Sequence, residues 1–292
     1  MLNYFKSVLV TLMLGLAGAA WAQSSDVKLL FVGSPQASVN ILLPQLVGNS
    51  MKTPSSFSTM KDCQAAFRHI DGNDNVVFVM ADLTIMTHQR RGENCVPAEF
   101  KPENIVATMT AAWHLCRKPG GKAITDPKTT VGIITILPGA AIVRDLNQRN
   151  NLNLAYVGVQ SSVDLSQSLL NGDIDWGVVN PGFAEPLVKQ NKLDCAYTFI
   201  PGGTDVVGKD RFVGKHFKME LDNLHCTFFV VAKTNNKETA AEINRAVSSP
   251  EFKEYLTKNN YFDIRVGAGK VTQADINKSN SYITTLINFH SK

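Results

Sequence analysis

Four strand-to-helix turns hold the residues whose types and spacing suit binding chemistry. In Gly33-Ser34-Pro35-Gln36-Ala37-Ser38 the glycine permits the turn, Ser34 can cap, Pro35 suits a first helical turn, and the backbone N–H groups that follow lack intrahelical partners. Such a helix start offers partial positive charge without a cation, which suits a carboxylate. Thr135-Ile136-Leu137-Pro138-Gly139-Ala140 and Asn180-Pro181-Gly182-Phe183-Ala184 repeat the arrangement. Ala81-Asp82-Leu83-Thr84 is a fourth turn, weaker because its aspartate would repel an anion. The candidate ligand contacts are therefore Ser34, Gln36, Ala37, Ser38, Thr84, Thr135, Gly139, Ala140, Asn180 and Phe183. Plain capping accounts for any one of these turns, because Ser, Thr and Asn are preferred there anyway. Their recurrence is what points to a ligand. Phe183 reads equally as a core aromatic and as a lining residue.

Catalytic signatures are missing beside these turns. No G-x-S-x-G occurs, so a nucleophile-elbow hydrolase has no support. Gly203 to Lys209 matches seven positions of a phosphate-binding loop, but the eighth is Asp210, and a carboxylate does not replace the hydroxyl that helps hold magnesium. His114 and His225 lie in two long extended segments, where a hinge or core role fits better than a general base. The five cysteines, Cys63, Cys95, Cys116, Cys195 and Cys226, form no C-x-x-C, and no two histidines have a helical metal-binding spacing. Two disulfides and one buried thiol are expected, with Cys63–Cys95, bracketing one predicted strand, the favoured pair. The reading has no catalytic residue, metal or cofactor.

The elements that position these turns follow from hydrophobic spacing. Short apolar runs at 27–32, 76–80, 131–136, 154–157, 176–179, 196–199 and 226–232 read as strands, and helical spacing falls between most of them. Helices are expected over 37–48, 61–70, 82–89, 140–149, 163–170, 183–190, 237–247, 250–258 and 273–288. Alternating strands and helices imply an α/β architecture with parallel sheets. The extended segments at 104–115 and 226–232 flank a self-contained βα stretch, which suggests two lobes with the chain crossing over and returning. The expected division is 1–22 as a signal peptide, 23–118 with 227–292 as lobe 1, and 119–226 as lobe 2, the ligand lying between the lobes at the carboxyl ends of the strands.

Composition narrows the partners. The 292 residues carry a net charge of +4 and no run of Lys and Arg longer than Arg90-Arg91, too little for a nucleic-acid stripe. Lys6, the apolar run from Ser7 to Gly18 and Ala20-Trp21-Ala22 have the pattern of a secretory signal cleaved after Ala22. That run is shorter than the roughly 20 residues that span a bilayer. An exported, periplasmic, monomeric binder of a small polar ligand is expected.

Leu169-Leu170-Asn171-Gly172-Asp173-Ile174-Asp175, then Asn180-Pro181-Gly182-Phe183-Ala184, then Val188-Lys189-Gln190-Asn191-Lys192-Leu193 resemble the LL-x-G-x-(V/I)-D, N-x-x-x-A and (I/V)-K-x-x-K-L progression of the Bug family. The stretch from Ile243 to Leu256 is similar to that family's closing helix pair. Bug proteins are extracytoplasmic receptors of tripartite tricarboxylate transporters. The resemblance implies a two-lobed type II periplasmic binding protein fold, capture of a small carboxylate, and delivery to a membrane permease. It places the ligand loops on Ser34 to Ser38, Ala81 to Thr84, Thr135 to Ala140 and Asn180 to Ala184. Two departures fall in the first lobe: the family's P-G-G-x-x-D loop is Pro35-Gln36-Ala37-Ser38-Val39-Asn40 here, and its N-x-P-G-A-G-G segment is missing around Thr53 to Met60. Gln36 and Asn40 can recognise an amide or hydroxyl as readily as a carboxylate. A binding module for amino acids or phosphonates, a module reporting to a membrane sensor, and a secreted hydrolase are the alternatives.

Overall fold

The computed structural model describes residues 26–33, 42–60, 62–135 and 138–291. The expected signal peptide and the candidate residues Ser34, Gln36, Ala37 and Ser38 lie outside the described residues. Among the described residues no helix is long and apolar enough to cross a membrane.

Two separate sheets organise the chain. The first holds six strands in the order β11-β4-β10-β3-β1-β2, where β1 is Val27–Val32, β2 Ser55–Met60, β3 Val76–Ala81, β4 Ile105–Ala112, β10 His225–Lys233 and β11 Tyr261–Val266. The second holds five in the order β7-β6-β8-β5-β9, with β5 His114–Arg117, β6 Thr130–Ile134, β7 Ala155–Val159, β8 Trp176–Val179 and β9 Asp194–Thr198. β1, β2 and β3 run parallel, as do β6, β7 and β8, while β10 is antiparallel to both its neighbours. The helices are α1 Leu42–Asn49, α2 Cys63–Asp71, α3 Asp82–Gln89, α4 Gly139–Asn150, α5 Ser162–Asn171, α6 Pro181–Lys189, the short α7 Val213–His216, α8 Lys237–Val247, α9 Pro250–Lys258 and α10 Gln273–Ser291.

The strands with continuous apolar sequence are the central ones. All six residues of β3 are buried, as a strand covered on both faces requires. β2, with the polar sequence SSFSTM, pairs with β1 at the sheet edge, and its hydropathy alone predicts no strand. β11 is a second edge strand of that kind, bent by a register shift between Phe262 and Arg265.

The chain crosses between sheets at Trp113, which separates β4 from β5 and is 5% exposed. His114–Arg117, drawn into the first lobe from the sequence, pair within the second sheet, and His225–Cys226, drawn into the second lobe, pair within the first. The expectation followed apolar runs and could not see strand partners. His114 is fully buried at the crossing, as a hinge or core histidine should be, and its Nε2 lies 3.0 Å from Thr204 Oγ1. Burial pushes its pKa down to about 4.

Two disulfides close the expected framework, Cys63–Cys95 and Cys116–Cys195, with Cys226 a buried free thiol. The second pair joins directly opposed residues of β5 and β9.

Candidate functional site

The two second-lobe turns come together because of strand order. β6 and β8 are parallel hydrogen-bonded neighbours, with Val131 beside Trp176 and Gly132 beside Gly177. Their following turns therefore leave the sheet at the same carboxyl edge. That edge carries Thr135, Gly139 and Ala140 from the first turn and Asn180 and Phe183 from the second.

The two helix starts differ in what they leave open. Asn180 caps α6: its Oδ1 accepts a hydrogen bond from the Gly182 amide at 2.9 Å, and the residue is 8% exposed. The side-chain oxygen is thereby occupied, leaving the amide nitrogen as its ligand-facing donor. Phe183 is half-buried and packs on the core. At α4, by contrast, Pro138 occupies the cap and supplies no side-chain hydrogen bond. The first amides of α4 are the less satisfied donors of the two, which is what anion capture at a helix start needs. Gly139 is buried, and Ala140 and Thr135 are exposed beside it. The Thr135 amide donates to Val159 O at 3.0 Å, tying this turn to the end of β7.

Sequence reading passed over a residue at this edge. The ring of Tyr156 lies against α4, so that a Cβ on Gly139 would stand 2.5 Å from Tyr156 Cε2. The same ring runs along β7 toward its carboxyl end, where a Cβ on Gly158 would meet the phenol oxygen at 3.0 Å and Thr135 Cγ2 at 3.3 Å. Two glycines thus clear a slot for one aromatic side chain and bring its hydroxyl to Thr135. Tyr156 is nevertheless 38% exposed. Burial raises its pKa, and the positive charge of Arg90, just past α3 in the first lobe, opposes that rise. The signal missed in the sequence is a tyrosine flanked by Gly139 and Gly158, and only the β6–β7 pairing connects the three.

In the first lobe, Thr84 is half-buried in the opening turn of α3. Asp82 starts that helix and is fully buried, and desolvation lifts its pKa to about 7 against hydrogen bonds from Thr227, Leu83 and Cys226. Its carboxyl lies 3.5 Å from Ser279 Oγ of α10. The expected repulsion of an anion is therefore weakened by partial protonation at neutral pH and by the carboxyl's place under α10.

The lobes also touch directly. Asn260 Nδ2 donates to Glu185 Oε2 of α6 at 2.9 Å, and its Oδ1 accepts from the Asp205 amide at 3.3 Å. Cys63, His88 and Cys95 cluster as metal ligands would, but both cysteines are spent in a disulfide, which leaves no thiolate for a metal.

No family model matches the sequence, and no curated protein matches it. Solved structures do match, and they define the class: the chain has the two-lobed α/β fold of type II periplasmic binding proteins. It is similar to MatC from Rhodopseudomonas palustris with bound malate, at 13% identity over 91% of this chain and 99% of that one, TM-score 0.66. Rpa4515 of R. palustris with adipate is similar at 11% identity over 93% and 98%, TM-score 0.67. A TctC solute-binding protein from Polaromonas is similar at 12% identity over 91% and 99%, TM-score 0.58.

Proposed function

We propose that this chain is an extracytoplasmic solute receptor that captures a small carboxylate between its lobes and delivers it to the membrane permease of a tripartite transporter. The observation that carries the reading is the shared carboxyl edge of β6 and β8, where an uncapped helix start, Thr135 and the Asn180 amide converge. Its likeness along more than nine-tenths of the chain to receptors solved with malate and adipate supports the same reading. One carboxylate sits at the first amides of α4 beside Thr135, and the Tyr156 hydroxyl is a further donor to it. Asn180 and Phe183 bound the ligand on the α6 side. Thr84 and the loop from Ser34 to Ser38 complete the site from the first lobe. Binding and lobe closure, without covalent chemistry, are the output, and the closed surface is what the permease reads. The receptor works as a monomer in the periplasm after cleavage behind Ala22.

Calorimetry of the mature protein against succinate, malate, adipate and citrate, with amino acids and phosphonates as competing classes, tests this. At least one carboxylate should bind, and Thr135→Ala with Asn180→Ala should weaken it by tenfold or more, as loss of about two hydrogen bonds to a charged group implies. Binding confined to amino acids or phosphonates, or turnover of an ester, phosphate or glycoside, overturns the reading.

A further inference from the structure

Away from the interlobe edge, a cavity of about 430 Å³ opens between α10 and the strands β4, β10 and β11 of the first sheet. Its floor is two rows of side chains on one sheet face, fixed by register: Phe262, Thr110 and Thr227 in one, Arg265, Thr108 and Phe229 in the other. Ser279, Tyr282 and Thr285 of α10 form the opposite wall.

A sheet face beneath a helix normally presents Val, Ile or Leu, because both layers must bury apolar surface. Here threonine stands at three adjacent positions. Thr108 and Thr110 are each 5% exposed. Thr108 Oγ1 has no hydrogen-bond partner among the described residues, and Thr110 Oγ1 has one contact, Thr227 Oγ1 at 3.4 Å. A buried hydroxyl without a partner costs about 1–3 kcal/mol, so these hydroxyls call for an occupant of the cavity. The volume is too large for one structural water at about 30 Å³ and falls within the roughly 300–1,000 Å³ of small-molecule sites.

The charges select the class of occupant. Arg265 pairs with Asp275 at 2.9 Å and Lys278 with Asp263 at 3.4 Å, so the cations lining the cavity are already neutralised. His225 stacks on Tyr282, 3.9 Å between ring centroids at 15°, and the Tyr282 hydroxyl donates to His225 O at 3.0 Å. The groups left to meet a ligand are hydroxyls, which both donate and accept, with Phe229 and Phe262 supplying apolar contact. We infer that this cavity binds a neutral polyhydroxylated ligand of monosaccharide size, held by Thr108 and Thr110.

Titration calorimetry of the mature protein with D-glucose, D-galactose, D-xylose and myo-inositol tests the inference. At least one of the four should bind, and Thr108→Val with Thr110→Val should weaken it by about tenfold or more, while Thr108→Ser retains it. The unliganded double variant should melt no lower than the parent, because valine keeps the shape and removes unpartnered hydroxyls. Carboxylate binding should be unchanged in that variant, and polyol binding unchanged in Asn180→Ala. Absence of binding at 50 mM for all four, binding that survives both valines, or loss in Asn180→Ala in place of the valine variant each overturns it. None of these results bears on carboxylate capture at the interlobe edge, which is measured separately.

Discussion

Tyr156 and Gly139 sit so close that the second has no room for a side chain: the ring carbon Cε2 would stand 2.5 Å from an added Cβ, and Ile133 Cβ 3.0 Å from it. Glycine at the start of α4 is thus fixed by an aromatic on the neighbouring strand. Gly139→Ala should destabilise the protein by about 1–3 kcal/mol, the usual cost of overpacking. Adding Tyr156→Ala should recover part of the loss. Urea unfolding of both single variants and the double variant measures the coupling, and independent effects would refute the contact.

Asp82 and His114 should make opposite contributions to pH dependence. Asp82, raised from 3.8 to about 7, holds a proton in the folded state that the unfolded chain releases, so its contribution is full below pH 3.8 and is lost as pH rises through 7. His114, lowered from 6.5 to about 4, is neutral when folded and charged when unfolded, so its contribution is present above 6.5 and is lost as pH falls through 4. Between pH 4 and 6.5 the two slopes oppose. Asp82→Asn removes the first, and the variant should lose stability on acidification over that window more steeply than the parent. Melting temperatures from pH 4 to 7 check the sign.

The disulfide between Cys116 and Cys195 closes a separation of 79 residues between adjacent strands. Replacing both cysteines by serine should cost about 2–5 kcal/mol. Cys226 is buried, and desolvation first, then Asp82, push its thiol pKa well up. Iodoacetamide should leave the native protein unlabelled and modify one thiol after unfolding without reductant, as read by intact mass.

Asn260 has φ +57 and links α6 to the turn before β11. Asn260→Gly keeps that left-handed backbone accessible and removes the side chain. Without the Glu185 hydrogen bond the lobes should separate more readily. Small-angle scattering of the unliganded variant should give a larger radius of gyration than the parent, and an unchanged radius would deny the contact a role in lobe position.

How much was legible in the sequence follows its hydropathy. Central strands such as β3 and β8 announce themselves, because a strand covered on both faces must be apolar throughout. β2 and β11 did not, since an edge strand gains its identity from the neighbour it pairs with, and SSFSTM carries no periodic signal. The Cys63–Cys95 pair was favoured because it brackets one strand, while Cys116–Cys195 required knowing that β5 and β9 lie side by side. At the candidate edge, Thr135, Gly139, Ala140, Asn180 and Phe183 were visible as local turn chemistry.

What the sequence determined by itself, then, is local: which segments bury on both faces, which helix starts hold capping or uncapped residues, and how many cysteines need partners. The tertiary structure decided which of these meet. Sheet order put the turns after β6 and β8 on one edge, register gathered Thr108, Thr110 and Thr227 into one face, and strand pairing laid Tyr156 between two glycines. The physical reason is that capping and hydropathy act within a few residues of chain, whereas pairing partners are set by burial summed over elements far apart in sequence.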